Sequence, residues 1–286
     1  MDGYNNKTMT LPAGTTGSTV PCWPRLLTDS TPYQHLVQLY QADEPSLIDN
    51  VAGYVREGLA RGERALIIAG SEHIAAFTRR LEGLGVELKG TVRTTVFLDA
   101  GETLARFMVD GRPDAELFEK TIWDAIVQLR GEGEHGHIRA YGEMVGILWQ
   151  AGEIAPAIQL EELWNRVVGS GGITLFCGYP IDIFDPHFEM AGVDAILCAH
   201  SHVVPTGHNG ALDNSMNRAL QEVFGSKLDG LRFLMKANFR PAWAAVPNAE
   251  AIILWLRRNL PDSATEVLAL ARRYYSEAAD RPAVTQ

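Results

Sequence analysis

The sequence predicts a three-layer α/β sandwich around a mostly parallel sheet of five or more strands, followed by a helical C-terminal module. Two observations carry this. Five short apolar or β-branched runs recur between residues 34 and 205, each followed by a longer amphipathic segment, which is the alternation of βαβ units. Beyond Pro205 no strand-like run recurs, and helix-patterned segments are separated by Gly, Pro and Asn.

Residues 1–31 are rich in Thr, Gly, Asn and Pro without a period of either secondary structure, so they are expected to form a flexible tail, with Trp23 at most loosely packed. HLVQLY at 35–40 is the first strand, and 44–61 carries Leu47, Ile48, Val51, Tyr54, Val55 and Leu59 on one helical stripe that Gly62 ends. RALIIAG at 64–70 fits a strand buried on both faces. Ser71 is placed to cap the helix at 72–84, which stops at Gly85. TVRTTVFLDA at 91–100 is a β-branched strand. Helices at 101–108 and 115–130 then flank a loop holding the turn-forming Asp110-Gly111 pair and Pro113. HIRAYG at 137–142 is the fourth strand, followed by a helix through Trp149 and another at 154–168. GGITLFCGYP at 171–180 is the fifth, and the run to Cys198 is helical. Segments 212–227, 231–239, 249–259 and 264–278 are all helix-patterned. The expected division is therefore tail 1–31, α/β domain 32–207 and helical module 208–286.

Hydrophobic residues at 46% and charged residues at 21% are the balance of a globular chain. With 25 basic against 35 acidic residues the net charge is -10, which works against a polyanionic partner, so no direct nucleic acid is expected. Cys22, Cys177 and Cys198 match neither a zinc site nor a disulfide framework, which points to a reducing compartment. Without a basic-then-apolar leader or a run of about 18 apolar residues, the expected location is the cytoplasm, away from membranes.

The most informative feature is an absence. In nucleotide-binding α/β proteins a strand leads into a Gly-rich turn ending in Lys-Ser/Thr, whose N–H groups and lysine cradle phosphates. Here RALIIAG leads straight into Ser71-Glu72-His73, with no second Gly, no Lys and an acidic side chain that repels phosphate. Strand ends in a parallel sheet converge on one crevice. That edge collects Tyr40, Ser71, His73, Asp99, Glu143 and Tyr179 as candidate ligand-binding residues, with Asp182 just beyond. Glu143 is read either as an acceptor in the crevice or as a first-turn glutamate favoured by the helix N-terminus. Glu143 and His73 are the groups there able to change protonation.

His200-Ser201-His202, with His187 and His208 nearby, invites a metal reading, but no carboxylate or Cys stands at ligand spacing, so these are expected to be surface or pocket histidines. His135 and His137 sit in a turn and are expected to be solvated. Cys177 reads as a small buried apolar residue. Glu161 and Glu162 occupy adjacent helix positions that point apart, which suits a solvated helix. No G-x-S-x-G elbow is present. No catalytic residue, metal or cofactor is expected, and the chain is not expected to be an enzyme.

HLVQLYQADE, RGERALIIAGSEH, VFLDAGETLARFMVDGRPD, IRAYGEMVGILWQAG with LEELWNRV, and LFCGYPIDIF followed by CAHSHVVP occur in order across 34–205. Together they resemble the MEDS family, named for methanogen and methylotroph proteins and the sensory domain of the repressor DcmR. The resemblance implies a RecA- and KaiC-like fold that has lost its phosphate loop. It also implies sensing of small hydrocarbon-derived molecules, coupled to a DNA-binding, histidine-kinase or other signalling partner. Residues 1–30 are too short and too rich in Gly and Thr for a helix-turn-helix, and the C-terminal helices carry no phosphoacceptor motif. The leading expectation is a non-catalytic sensor that binds a small-molecule ligand and signals to a protein partner, or self-associates, through its C-terminal helices. The alternatives are a residual nucleotide-binding ATPase of KaiC type, and a protein–protein interaction module anchored by Trp243, Trp255 and the Tyr274-Tyr275 pair.

Overall fold

A computed structural model of the chain describes residue 27 and residues 33–40, 44–88, 94–130, 136–187, 189–207, 210–238 and 246–279. The expectations for the tail up to residue 26, and for Cys22, Trp23, His135, His208 and Trp243, lie outside the described residues.

The α/β part runs β1 (His35–Leu39), α1 (Glu44–Ala60), β2 (Arg64–Ala69), α2 (Ser71–Gly83), β3 (Thr95–Asp99) and α3 (Ala100–Ala105). A hairpin follows, β4 (Met108–Val109) and β5 (Arg112–Pro113), and then α4 (Ala115–Arg130), β6 (Ile138–Gly142), α5 (Met144–Gln150) and α6 (Ile154–Gly171). β7 (Ile173–Tyr179), α7 (Met190–Ala199) and β8 (His202–Val203) complete it. The main sheet has six strands in the order β3-β2-β6-β7-β1-β8, and every pairing in it is parallel.

Each strand except the edges is buried along its length because helices cover both faces. Leu47, Val51 and Val55 of α1 and Phe77 and Leu81 of α2 pack with Ile67, Tyr141 and Phe176 on one face. On the other, Phe118, Ile122 and Ile126 of α4, Leu148 of α5 and Leu160 and Trp164 of α6 pack with Leu66, Ala140 and Leu175. Chain direction therefore diverges between neighbours: β2 feeds a helix on the first face and β6 one on the second. In parallel sheets, ligand sites lie at the C-terminal ends of strands whose crossovers diverge in this way.

Two small elements were not legible as strands. β8 is only two residues long, too short for a period, and is held by the register Leu36↔His202 and Val37↔Val203. The expected 109–114 loop, with Met108 before it, closes as a hairpin, because Asp110 (φ 49°) and Gly111 (φ 76°) both adopt the left-handed conformation of a tight two-residue turn. Ser71 does not cap α2 as expected; the N-cap is Gly70, without a side-chain cap bond, and Ser71 is the first helical residue.

The C-terminal part is helical: α8 (Ala211–Phe224), a short 3₁₀ turn (Gly225–Lys227), α9 (Leu228–Asn238), α10 (Asn248–Asn259) and α11 (Pro261–Ala279). The second-face core continues into it without a break through Met216, Leu220, Ile253, Leu256 and Val267. Trp255, Tyr274 and Tyr275 belong to that core and are not exposed anchors. Arg257 donates to the carbonyls of Ile183 (2.8 Å) and Asp185 (2.7 Å), and the buried Glu250 accepts the Thr206 N–H at 2.7 Å. Asp182, expected at the ligand edge, instead pairs with Arg272.

Arg139 of β6 is fully buried. It meets Glu63 at 2.5 Å and donates to the carbonyls of Tyr54 (2.9 Å) and Leu27 (2.6 Å). Leu27 also packs on the first-face core, so this residue of the expected tail is part of the folded structure. His137, expected to be solvated, instead lies 3.2 Å from Glu63 and 3.0 Å from the Thr174 hydroxyl.

Candidate functional site

Glu143 follows the last residue of β6 and stands at the N-cap of α5, yet it makes no side-chain cap bond there. Its carboxylate turns toward β2 and takes three donors. Gly70 N–H reaches Oε2 at 2.9 Å, while Tyr141 Oη (2.7 Å) and His73 Nδ1 (2.5 Å) reach Oε1. The other ring nitrogen of His73 lies 3.0 Å from Glu44 Oε1. His73 is thus clamped between two carboxylates. The hydrogen bond to Glu143 raises its pKa to about 9 against the opposing effect of burial, so it is an imidazolium at neutral pH. The Tyr40 ring meets His73 edge-on at 5.6 Å, and burial together with Glu143 and Glu44 pushes its hydroxyl pKa up.

Gly70 is a single residue between β2 and α2, so the connection has no loop to wrap a phosphate. The position at which a helix N-terminus offers its free N–H to an anion is taken by the chain's own carboxylate.

Of the six candidate ligand-binding residues, Tyr40, His73 and Glu143 come together. Ser71 stands beside them in sequence with its side chain exposed. Asp99 ends the adjacent strand, but its carboxylate caps α3 by accepting the Glu102 N–H at 2.9 Å. Tyr179 ends β7 on the opposite face, because Leu175, Cys177 and Tyr179 alternate with Phe176, which shares the face of Tyr141. Tyr141, two residues before Glu143 at the end of the fourth strand, joins the cluster, as do Gly70 and Glu44, which were not singled out as ligand groups. The Tyr141-x-Glu143 spacing, which keeps both side chains on one face of a strand, was the available signal.

The Tyr179 hydroxyl belongs to a second, fully buried cluster, donating to Glu161 Oε1 at 2.6 Å. Glu161 is 1% exposed, so the expectation of a solvated glutamate is overturned. Its place on the α6 stripe, four residues after Ala157 and three before Trp164, was the overlooked sign. Around it stand His35, whose Nε2 lies 3.3 Å from Glu161 Oε2, and His200, whose Nε2 lies 3.5 Å from Oε1. Cys177 Sγ is 3.3 Å from His35 Nε2. Burial pushes Glu161 up to about 8 and His35 down to about 4, and likewise lowers His200 and raises Cys177. Burial therefore favours the neutral form of each of these groups and works against an ion pair between His35 and Glu161. His200 is therefore not a surface histidine, whereas His187 is exposed and His202 is half-buried.

Two concavities lie away from both clusters. One of about 710 Å³ is lined by Phe224, Leu231, Phe233, Leu234 and Leu260, and one of about 570 Å³ lies between Phe184 and Leu268. The first is built on the C-terminal helices, and the second lies between them and the segment that joins β7 to α7. Among the described residues, no helix is long and apolar enough to cross a membrane.

Residues 34–201 match the family model of the MEDS domain, described as MEthanogen/methylotroph, DcmR Sensory domain. No curated protein and no solved structure matches the chain. The matched segment covers more than half of the 286 residues and takes in every strand of the main sheet except β8, and the chain belongs to the MEDS sensory-domain family.

Proposed function

We propose that the protein is a non-catalytic sensor whose small organic ligand, of the hydrocarbon-derived class, docks at the mouth formed by Tyr40, His73 and Glu44 at the sheet edge. The observation that carries this reading is the Glu143 carboxylate on the Gly70 N–H, 2.9 Å away. It removes the anion-binding role of the α2 N-terminus and repels a triphosphate. What remains at the crevice is an aromatic ring, an imidazolium and a carboxylate, groups suited to a small molecule with one apolar and one polar end. A sensory-domain family is consistent with such a ligand. Output in this reading passes through the C-terminal helices, where Phe233 is 72% exposed beside the apolar groove of α9.

A thermal-shift screen of alcohols, amines, haloalkanes and Mg-ATP on the full chain tests it, because a ligand that binds only the native state raises Tm by mass action. A small organic that raises Tm for the wild type but not for Tyr40→Ala or His73→Ala supports the site. Stabilisation by Mg-ATP alone favours the nucleotide-binding alternative.

A further inference from the structure

We propose that His35, Glu161, Cys177 and His200 form a tetrahedral site for a divalent, borderline-soft cation of the zinc class, set inside the fold and separate from the sheet-edge mouth. Each residue offers one ligand atom, and the four atoms lie within 4.8 Å of one another. The separations are close to the size a metal centre needs. Zinc arms of about 2.0 Å to nitrogen or oxygen and about 2.3 Å to sulfur give a tetrahedron with edges of roughly 3.3–3.5 Å. Here His35 Nε2 is 3.3 Å from both Cys177 Sγ and Glu161 Oε2, Cys177 Sγ is 4.0 Å from the same oxygen, somewhat beyond the ideal edge, and His200 Nε2 faces the other carboxylate oxygen, Oε1, at 3.5 Å.

The surroundings set both imidazoles in the ligating tautomer. Asn165 Nδ2 donates to the Ala199 carbonyl, which leaves its Oδ1 to accept from His35 Nδ1–H at 2.9 Å. The Ile196 carbonyl accepts from His200 Nδ1–H at 2.7 Å. Each ring therefore turns a bare Nε2 lone pair inward, the outer-contact arrangement that orients metal-bound histidines. Tyr179 holds the carboxyl in the same way. A purely hydrogen-bonded cluster explains these atoms less well. Fully buried His200 Nε2 has no hydrogen-bond partner, and a stranded buried acceptor costs about 1–3 kcal/mol.

Ligand chemistry selects the ion. Two imidazole nitrogens and a sulfur exclude magnesium and calcium, which take oxygen, and suit zinc. As the ion enters, the thiol and the carboxyl each release a proton to solvent, and the two resulting negative charges neutralise the dication, as a dry interior requires. The four residues come from the start of β1, the middle of β7, α6 and the C-cap of α7. All four are buried, so the site is closed, like structural zinc centres, and ties α6 and α7 to the centre of the sheet.

The test is to express the full chain in zinc-depleted medium supplemented with cobalt(II), and separately with zinc. The expected result is a single equivalent of metal per folded chain, with the visible bands of tetrahedral cobalt(II) and a thiolate-to-cobalt band in the near ultraviolet. Cys177→Ser should remove the thiolate band. Asn165→Ala, which touches the ion only through His35, should weaken metal affinity by roughly 10–100-fold while circular dichroism stays native. A folded wild type that is spectrally silent with cobalt(II) and yields no zinc after dialysis overturns the proposal. So does metal that persists unchanged in Cys177→Ala and His200→Gln and disappears when the exposed His187 is replaced.

Discussion

The backbone N–H of Gly70 donates to Oε2 of Glu143 across 2.9 Å, joining the ends of β2 and β6 at the point where their crossovers diverge. A phosphate arriving there meets a carboxylate in its place and finds no lysine to offset its charge. Equilibrium dialysis with labelled ATP should therefore detect no tight binding, and magnesium should elicit no hydrolysis. Micromolar affinity would sink this and promote the nucleotide-binding alternative.

Because Glu143 accepts from three donors, replacing it with Gln sets an amide against at least one of them. Loss of one hydrogen bond to a charged group costs about 1.5–3 kcal/mol, and urea denaturation of Glu143→Gln should show a loss of that size. An unchanged midpoint would mean that the three contacts do not persist in solution.

Stability should fall as pH rises through the His73 transition. Its folded pKa is raised to about 9 from an ordinary 6.5, so its contribution is complete below pH 6.5 and is lost as pH climbs through about 9. The groups facing it are Glu143, Glu44, Tyr40 and Phe77. Glu250, raised to about 7 from 4.5 chiefly by burial and further by the nearby Asp213, against the opposing hydrogen bonds from Thr206, adds a fall in the same direction between those two values. A calorimetric Tm profile should decline through the alkaline window, whereas in the lower one Glu250 and Glu161 are opposed by the buried His35 and His200, whose lowered pKa values add stability as pH rises toward 6.5. His73→Ala should flatten only the alkaline part, and a profile that it leaves unaltered would place the transition elsewhere.

The elements of the fold were legible because strands and helices carry local periods, and the crevice followed from parallel topology. Glu143 and His73 were reachable by the same route. Tyr179 was assigned to the wrong cluster because a strand end names an edge but not a face; the period of two puts its ring with Cys177. The His35, Glu161, Cys177 and His200 cluster was not legible at all. Its members are separated by up to 165 positions in sequence and meet only through the strand order β7-β1 and the packing of α6 and α7. Spacing along the chain, which sets only local neighbours, carries no trace of such a cluster.

Leu27 alters the expectation for the N-terminal stretch. Deleting residues 1–30 removes its carbonyl from the buried Arg139 guanidinium and its side chain from the first-face core. The deletion should cost about 1.5–3 kcal/mol for the charge-assisted hydrogen bond alone. Thermal denaturation that does not distinguish the truncated chain from the intact one would show that the contact contributes nothing.

Gly178 of β7 lies directly against the Tyr141 ring, and a Cβ added there would meet Tyr141 Oη, with Cζ 3.2 Å away. Both residues are buried, so the methyl of Gly178→Ala can be housed only by displacing the hydroxyl that Tyr141 gives to Glu143. Overpacking of this kind costs about 1–3 kcal/mol. Tyr141→Phe removes the obstructing oxygen together with its hydrogen bond. If one cause underlies both losses, the double variant should be more stable than the sum of the single losses predicts, by at least ~0.5 kcal/mol, the size at which coupling stands clear of additivity. Urea midpoints of the four proteins measure that difference directly. Strict additivity would mean that the alanine methyl is absorbed without moving Tyr141, and that Gly178 does not hold the Tyr141–Glu143–His73 chain in place.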